Sequence, residues 1–279
     1  MNDLKVAVFP QQLSDDWYEG LRQAADLDVQ GVHLPLGGPW DLEKMDTAAC
    51  RELLNLLKSY GLVVSAVSWG IGELPHREEH ATLIPQGKRA LQIAADLECG
   101  LWQAHCGVLP WEESDPGWSA TIDSAGELAS YGEQVGAALV WETGPEPPRV
   151  LKRVMETVNS PGLGVNLDPG NLIIWPVLLA EMWGRPWTRE WADENFDPHE
   201  GAKLLAPWVR HTHAKDALVQ ADGSHLEVPL GEGWVDWPRY VGILREAGYD
   251  GFYAIEREIG QDRVGDTLRA IEFLRNLPV

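Results

Sequence analysis

Ala138-Leu-Val-Trp-Glu142, Gly164-Val-Asn-Leu-Asp168, Val209-Arg-His-Thr-His213 and Phe252-Tyr-Ala-Ile-Glu256 are short, mostly apolar runs, and each ends on a residue able to bind a metal. A buried parallel strand reads this way, and in an α/β barrel the residue closing the strand stands at the rim where the loops gather. The four closing residues are about 26, 45 and 43 positions apart, which is the pace of successive strand–helix units. Two glutamates, an aspartate and a histidine converging on one rim make an oxygen- and imidazole-lined site suited to a divalent metal. A lone acid at a strand end is ordinarily just solvated. Four in this order point to a metalloenzyme site on a barrel.

The same pattern runs through the whole chain. Strands are expected at 4–9, 31–35, 62–69, 101–105, 138–142, 163–168, 208–213 and 251–256, with helical patterns between them. Ser14 precedes an apolar stripe at Trp17, Leu21 and Ala24-Ala25. Asp46 or Thr47 caps a helix running to Tyr60 and ended by Gly61. Helices are also expected over 78–97 and about 119–136. Pro147-Pro148 opens another in its first turn. Asp236 with Pro238 starts the helix that ends at Ala247-Gly248, and the last fills 263–276. Eight such units without a break in composition predict one domain, 1–279, folded as a (β/α)8 barrel. The competing doubly wound sheet lacks a Gly-x-Gly-x-x-Gly after its first strand.

At 279 residues with 44% hydrophobic side chains, the chain is long enough for one large barrel core. A formal net charge of −21 argues against nucleic acid and anionic membrane partners, because no excess of cations exists to neutralise phosphates. Cys50, Cys99 and Cys106 are odd in number and lack zinc spacing, which reads as reduced thiols in the cytoplasm. The stretch Met1-Asn-Asp-Leu4-Lys-Val-Ala-Val-Phe-Pro10 shows no basic leader or cleavage site, and no apolar run is long enough to span a bilayer. Most of the 14 tryptophans are expected to pack in the core or cap the barrel ends.

Glu142-Thr-Gly, Leu167-Asp-Pro-Gly-Asn171, His211-Thr-His-Ala-Lys-Asp216, Pro229-Leu-Gly-Glu-Gly-Trp-Val-Asp-Trp237 and Gly248-Tyr-Asp-Gly-Phe-Tyr-Ala-Ile-Glu256 resemble the xylose isomerase-like barrel superfamily of sugar phosphate isomerases and epimerases. The specific motifs lie within residues 138–258. The resemblance implies that Glu142, Asp168, His213 and Glu256 hold one divalent ion (manganese, magnesium, cobalt or zinc). It also implies that Glu142 and Glu256 are the proton-transfer pair, acting next to a carbonyl through an enediolate. Asn171 departs from the histidine common at that position in ketohexose epimerases, and Trp69 stands where a multi-metal apurinic-site endonuclease would want a histidine.

Five further positions are candidates for contacting substrate, with Trp69 at the end of strand three as a sixth. His105 closes the fourth strand at the same rim, and Lys215 follows His213 at the two-residue offset that shares a face. Asn171 offers an amide, Arg257 follows the last ligand, and Trp175 begins a Trp-rich stretch. Arg257 and Glu258 have pairing with each other as the alternative. His33 and His211 read as packed histidines. The stretch from Leu172 to Phe196 is expected as an extended loop after strand six, stacking on substrate through Trp175, Trp183 and Trp187 or building a homo-oligomer interface. The function expected is a metal-dependent isomerase or epimerase of a keto sugar or related polyhydroxy carbonyl compound. The alternatives are a lyase or hydrolase on an oxidised sugar or glycoside and, less favoured, an endonuclease or a non-catalytic sugar-binding barrel.

Overall fold

The computed structural model describes residues 3–279. Met1 and Asn2, with the start of the expected domain and of the stretch read as lacking a leader, lie outside the described residues. Eight parallel strands close into a barrel: β1 (Lys5–Val8), β2 (Gly31–Pro35), β3 (Val63–Ser68), β4 (Leu101–Ala104), β5 (Ala138–Glu142), β6 (Leu163–Leu167), β7 (Val209–Ala214) and β10 (Phe252–Ile255). The barrel closes through β10 pairing with both β1 and β7. Between β7 and β10 stands an antiparallel hairpin of β8 (Asp216–Val219) and β9 (His225–Val228), which sequence reading did not find. Its strands are four residues each, too short for a periodicity signal.

Among the described residues, a helix stands at each of the seven expected places, and four further α-helices (the first, seventh, eighth and ninth) were not expected. They are α1 (Pro10–Leu13), α2 (Trp17–Asp26), α3 (Thr47–Ser59), α4 (His80–Asp96), α5 (Pro116–Val135), α6 (Pro148–Val158), α7 (Asn171–Met182), α8 (Arg189–Phe196), α9 (Pro198–Leu205), α10 (Trp237–Glu246) and α11 (Arg263–Asn276). The N-cap of α2 is Asp16, whose side chain accepts from the backbone of Tyr18 and Glu19. Asp46 caps α3 and Asp236 caps α10 as expected, each satisfying a first-turn N–H that the helix leaves unpaired.

The Trp-rich stretch after β6 is not an extended loop: it is mostly α7 and α8. Asn171–Met182 is buried almost all round, so it carries no polar face and no amphipathic period to announce a helix. The main core lies between the strands and the helix ring. Trp40, Trp102, Trp141 and Trp237 are fully enclosed there. At roughly 25 cal/mol per Å2 and about 150–250 Å2 per ring system, each contributes an upper bound of roughly 4–6 kcal/mol before ordering entropy. A second, small apolar cluster of Ala7, Phe9 and Ala254 packs apart from the main core. Phe9 stacks on His33 with ring centroids 4.3 Å apart.

Candidate metal centre

Strand alternation brings the four expected ligands together. Glu142 ends β5, Asp168 follows β6, His213 lies in β7 and Glu256 follows β10. One donor atom from each lies within 4.8 Å of the others. His213 Nδ1 is the hub: it stands 3.1 Å from Glu142 Oε1, 3.2 Å from Glu256 Oε2 and 3.5 Å from Asp168 Oδ2. An ion bound at about 2.1 Å to each donor needs neighbouring donors about 3 Å apart, so only small movements are required. Asp168 Oδ2 is fully buried and accepts no hydrogen bond, as a ligand kept for a cation would be. The donor set of three carboxylates and one imidazole suits an octahedral-preferring divalent ion.

The residues around the ligands fix their geometry. Thr143 Oγ1 donates to the carbonyl of Asp168 and accepts from its N–H, locking the turn after β6 to the end of β5. Asn171, at the start of α7, donates Nδ2 to Glu142 Oε1 at 3.0 Å, and its own N–H is held by Asp168 Oδ1 at 2.9 Å. Gln103 donates to the other oxygen of Glu142, and His105 Nε2 lies 3.3 Å from that oxygen. Lys215 is buried, with Nζ 2.9 Å from Glu256 Oε2, 3.8 Å from Asp168 Oδ2 and in contact with Glu258.

The charge balance follows. Burial works to raise the carboxyl of Glu142, but His105 and His213 hold it below the ordinary range. Burial likewise opposes ionisation of Glu256, and His213 with Lys215 overcomes it, leaving this carboxyl well below its usual range. At Asp168 burial prevails, and the group is raised despite Lys215 and His213. His213 would lose its proton through burial, yet Glu256 and Glu142 push it well above the normal imidazole range.

Above the ligands opens a cavity of about 350 Å3, lined among others by Trp69, Gln103, His105, Glu142, Lys215, Glu256 and Glu258. This is the size of a small-ligand pocket. Trp175 stands beside His105 with ring centroids 6.5 Å apart. Its indole packs so closely over Gly144 that a Cβ there would sit 2.7 Å from Nε1.

Arg257 is not brought to the site. Its guanidinium donates Nη1 to Glu227 and Nε to Asp266, each at 2.8 Å, on the far side of β10. The physical reason is alternation: Glu256 and its successor point to opposite faces of an extended segment. Glu258 therefore pairs with Lys215 and not with Arg257. Trp183 and Trp187 are also elsewhere. Trp183 packs edge-on against Trp111 and Trp191, with Arg185 over it at 4.6 Å, and Trp187 lines a separate small cleft with Leu172 and Trp234. Trp175 is the member of that stretch that reaches the rim.

Gln103 was missed by sequence reading, although its two-residue offset from His105 signals a shared face. The contacts also explain the sequence motif shared by β8 and the loop before α10. Asp216 accepts from the N–H groups of Gly231, Val235 and Ala217 and from Trp237 Nε1. A Cβ at Gly233 would lie 2.0 Å from its carboxylate, so that position must be glycine. Glu227, in β9, accepts from Arg257, Glu258 and Ile259 and so anchors the segment that carries Glu256.

A closed eight-stranded parallel barrel with a buried cluster of three acids and a histidine at its rim points to one class, and the sequence agrees. The chain belongs to the xylose isomerase-like TIM barrel family, whose model matches residues 21–277. Among solved structures, a xylose isomerase domain protein from Planctomyces limnophilus is 26% identical, with a TM-score of 0.80 over 98% of this chain and 96% of that one. A xylose isomerase-like TIM barrel protein from Mycobacterium smegmatis in complex with magnesium is 18% identical, with a TM-score of 0.74 over 98% and 96%. A D-tagatose 3-epimerase-like protein is 18% identical, with a TM-score of 0.73 over 98% of each chain. No curated protein matches. Among the described residues, no helix is long and apolar enough to cross a membrane.

Proposed function

We propose that this chain is a divalent-metal-dependent isomerase or epimerase acting on a keto sugar or related polyhydroxy carbonyl compound in the cytoplasm, with no nucleic-acid partner. One observation carries the reading: Glu142 and Glu256 line the same cavity, each within 3.2 Å of His213 Nδ1. The ion, when bound by Glu142, Asp168, His213 and Glu256, supplies positive charge that polarises a carbonyl and favours ionisation of the adjacent carbon.

The side chains divide the remaining work. Both oxygens of Glu142 are engaged, one by Asn171 and His213 and the other by Gln103 and His105. Glu256 makes its contacts through Oε2 and is the most solvent-open of the four ligands at 14% side-chain exposure. It is therefore the base that takes the proton from carbon, leaving the electron pair to move onto the carbonyl oxygen. Glu142, supplied with a proton from solvent through His105, delivers it to the opposite face of the same carbon in epimerisation. In isomerisation the proton goes to the neighbouring carbon, while the adjacent hydroxyl passes its own proton to the first oxygen and becomes the new carbonyl. His105, whose side chain is 45% exposed, links Glu142 to solvent. Lys215 and Asn171 orient hydroxyl groups, and Trp69 and Trp175 cover apolar faces. Apart from Lys215 and His105, the ionisable groups lining the cavity are carboxylates, which supports an uncharged substrate over a phosphorylated one.

The test is Glu256→Gln, loaded with metal and assayed in D2O against ketoses and cyclic polyhydroxy ketones. Turnover and deuterium incorporation are both expected to fall about 10²–10⁴-fold, the usual loss on removing a general base. Near-wild-type exchange would refute the assignment. Product lighter than substrate by one eliminated group would instead place the same carboxylate pair in a lyase.

A further inference from the structure

Beneath the ligand set, three histidines fill the barrel axis. His33 from β2 and His211 and His213 from β7 are fully buried. One nitrogen of each lies within 4.8 Å of the others. Their rings meet at centroid separations of 5.0 Å (His33–His211), 5.2 Å (His33–His213) and 5.8 Å (His211–His213). His211 is satisfied, with Nδ1 2.8 Å from Asn166 Oδ1 and Nε2 3.2 Å from Ser65 Oγ. His33 is not. Both of its ring nitrogens are buried without a partner, and so is Nε2 of His213.

A buried, unpaired imidazole nitrogen forfeits its hydration without replacement, so three orphans in one place call for a shared explanation. His213 faces the three carboxylates through Nδ1. To coordinate through that atom it must carry its remaining proton on Nε2, and a metal-bound histidine ordinarily donates that proton to an acceptor which fixes its tautomer. His33 is the unsatisfied acceptor beside it. The centroids of the two rings are 5.2 Å apart, a separation at which one water, about 2.8 Å from each, can bridge facing ring nitrogens. Phe9 clamps the His33 ring from the other side, 4.3 Å away and within 15° of parallel, so the ring cannot swing aside.

We propose that His33 is a positioning residue for the metal centre: it accepts the Nε2–H of His213 through one enclosed water, and so holds Nδ1 deprotonated and aimed at the ion. This rests on the metal reading above and adds to it a residue from the opposite side of the barrel. The tautomer of His213 is then set from below, and the carboxylates need only supply the remaining donors.

The experiment compares wild type, His33→Phe and His33→Gln, using magnesium as the probe. Phe keeps a flat ring against Phe9 but accepts no hydrogen bond, whereas Gln keeps an acceptor. Magnesium affinity is expected to fall about 10–100-fold in His33→Phe, the usual range for losing such a partner, and to recover most of that loss in His33→Gln. Nitrogen-15 imidazole spectra of magnesium-loaded wild type are expected to show His213 as the Nε2–H tautomer with a slowly exchanging proton. Wild-type affinity in His33→Phe, or no protected Nε2–H on His213 in the wild type, would overturn the proposal. The wild-type spectrum decides the matter even if His33→Phe fails to fold. A wild-type chain that binds no divalent ion would refute the metal reading, and with it this role for His33. Failure of His33 alone leaves wild-type binding intact, so the two are distinguishable.

Discussion

Metal uptake by this chain is expected to expel one proton. His213 Nδ1 faces carboxylate oxygens at 3.1, 3.2 and 3.5 Å. Burial disfavours the imidazolium, but Glu256 and Glu142 push it well above the ordinary imidazole range, which favours a proton on Nδ1. The same Nδ1 lone pair must be free to coordinate, and binding therefore displaces that proton. Below the folded pKa of His213, affinity should rise about tenfold per pH unit, about 1.4 kcal/mol. Asp168, raised by burial, adds to the proton count toward acid. Titration calorimetry in two buffers of different ionisation enthalpy measures the number released. A single bound ion with no proton release across pH 6–8 would show that His213 enters as a neutral ring or is not a ligand, and the charge balance described for the site would be wrong. The metal-free fold depends on pH in two directions. His213 and Lys215 are raised, so their stabilisation is complete in acid and is lost as pH climbs through their folded values. Glu142 and Glu256 are lowered, so theirs is complete above the free carboxylate range and is lost on acidification.

Two further outcomes separate structural from functional side chains. Arg257→Met leaves Glu227 buried without its cation and Asp266 with Arg269 alone, and is expected to cost about 3–5 kcal/mol in denaturant unfolding, with kinetic constants per folded chain changed little. A large KM effect without loss of stability would restore Arg257 to the substrate site. Trp175→Ala is expected to weaken substrate binding by roughly 1–3 kcal/mol at unchanged metal content, whereas Trp183→Ala should leave KM per folded chain intact. Equal effects from both would contradict the separation of the two rings.

The barrel was legible because buried parallel strands are short apolar runs, and the eight expected spans coincide with the eight strands to within about a residue or two. The clustering of Glu142, Asp168, His213 and Glu256 was legible for a related reason: a polar residue closing such a run has little purpose in packing. Alternation then sorted their neighbours. Lys215, two residues beyond His213, faces the site as expected, while Arg257, one residue beyond Glu256, faces away, as the same rule requires. The helices after β6 were illegible because α7 is enclosed on nearly every side and shows no polar stripe. Glu227 was illegible for a different reason. Its value lies in accepting from three residues about 30 positions away, and nothing local in His225-Leu-Glu-Val228 announces such a contact.

The division of labour around the barrel axis follows from which strands carry charge. β5, β6, β7 and β10 end in the carboxylates and the imidazole, whereas β1, β2 and β3 send Phe9, His33 and Ser65 against the buried side of β7. A carboxylate cluster this deeply buried would repel itself apart if left uncompensated. The chain answers with Lys215 and with His213, whose imidazolium the carboxylates favour; both are enclosed and both touch Glu256. Lys215 also contacts Glu258, whose side chain is 60% exposed, so one buried ammonium ties the carboxylate cluster to the lining of the cavity above it.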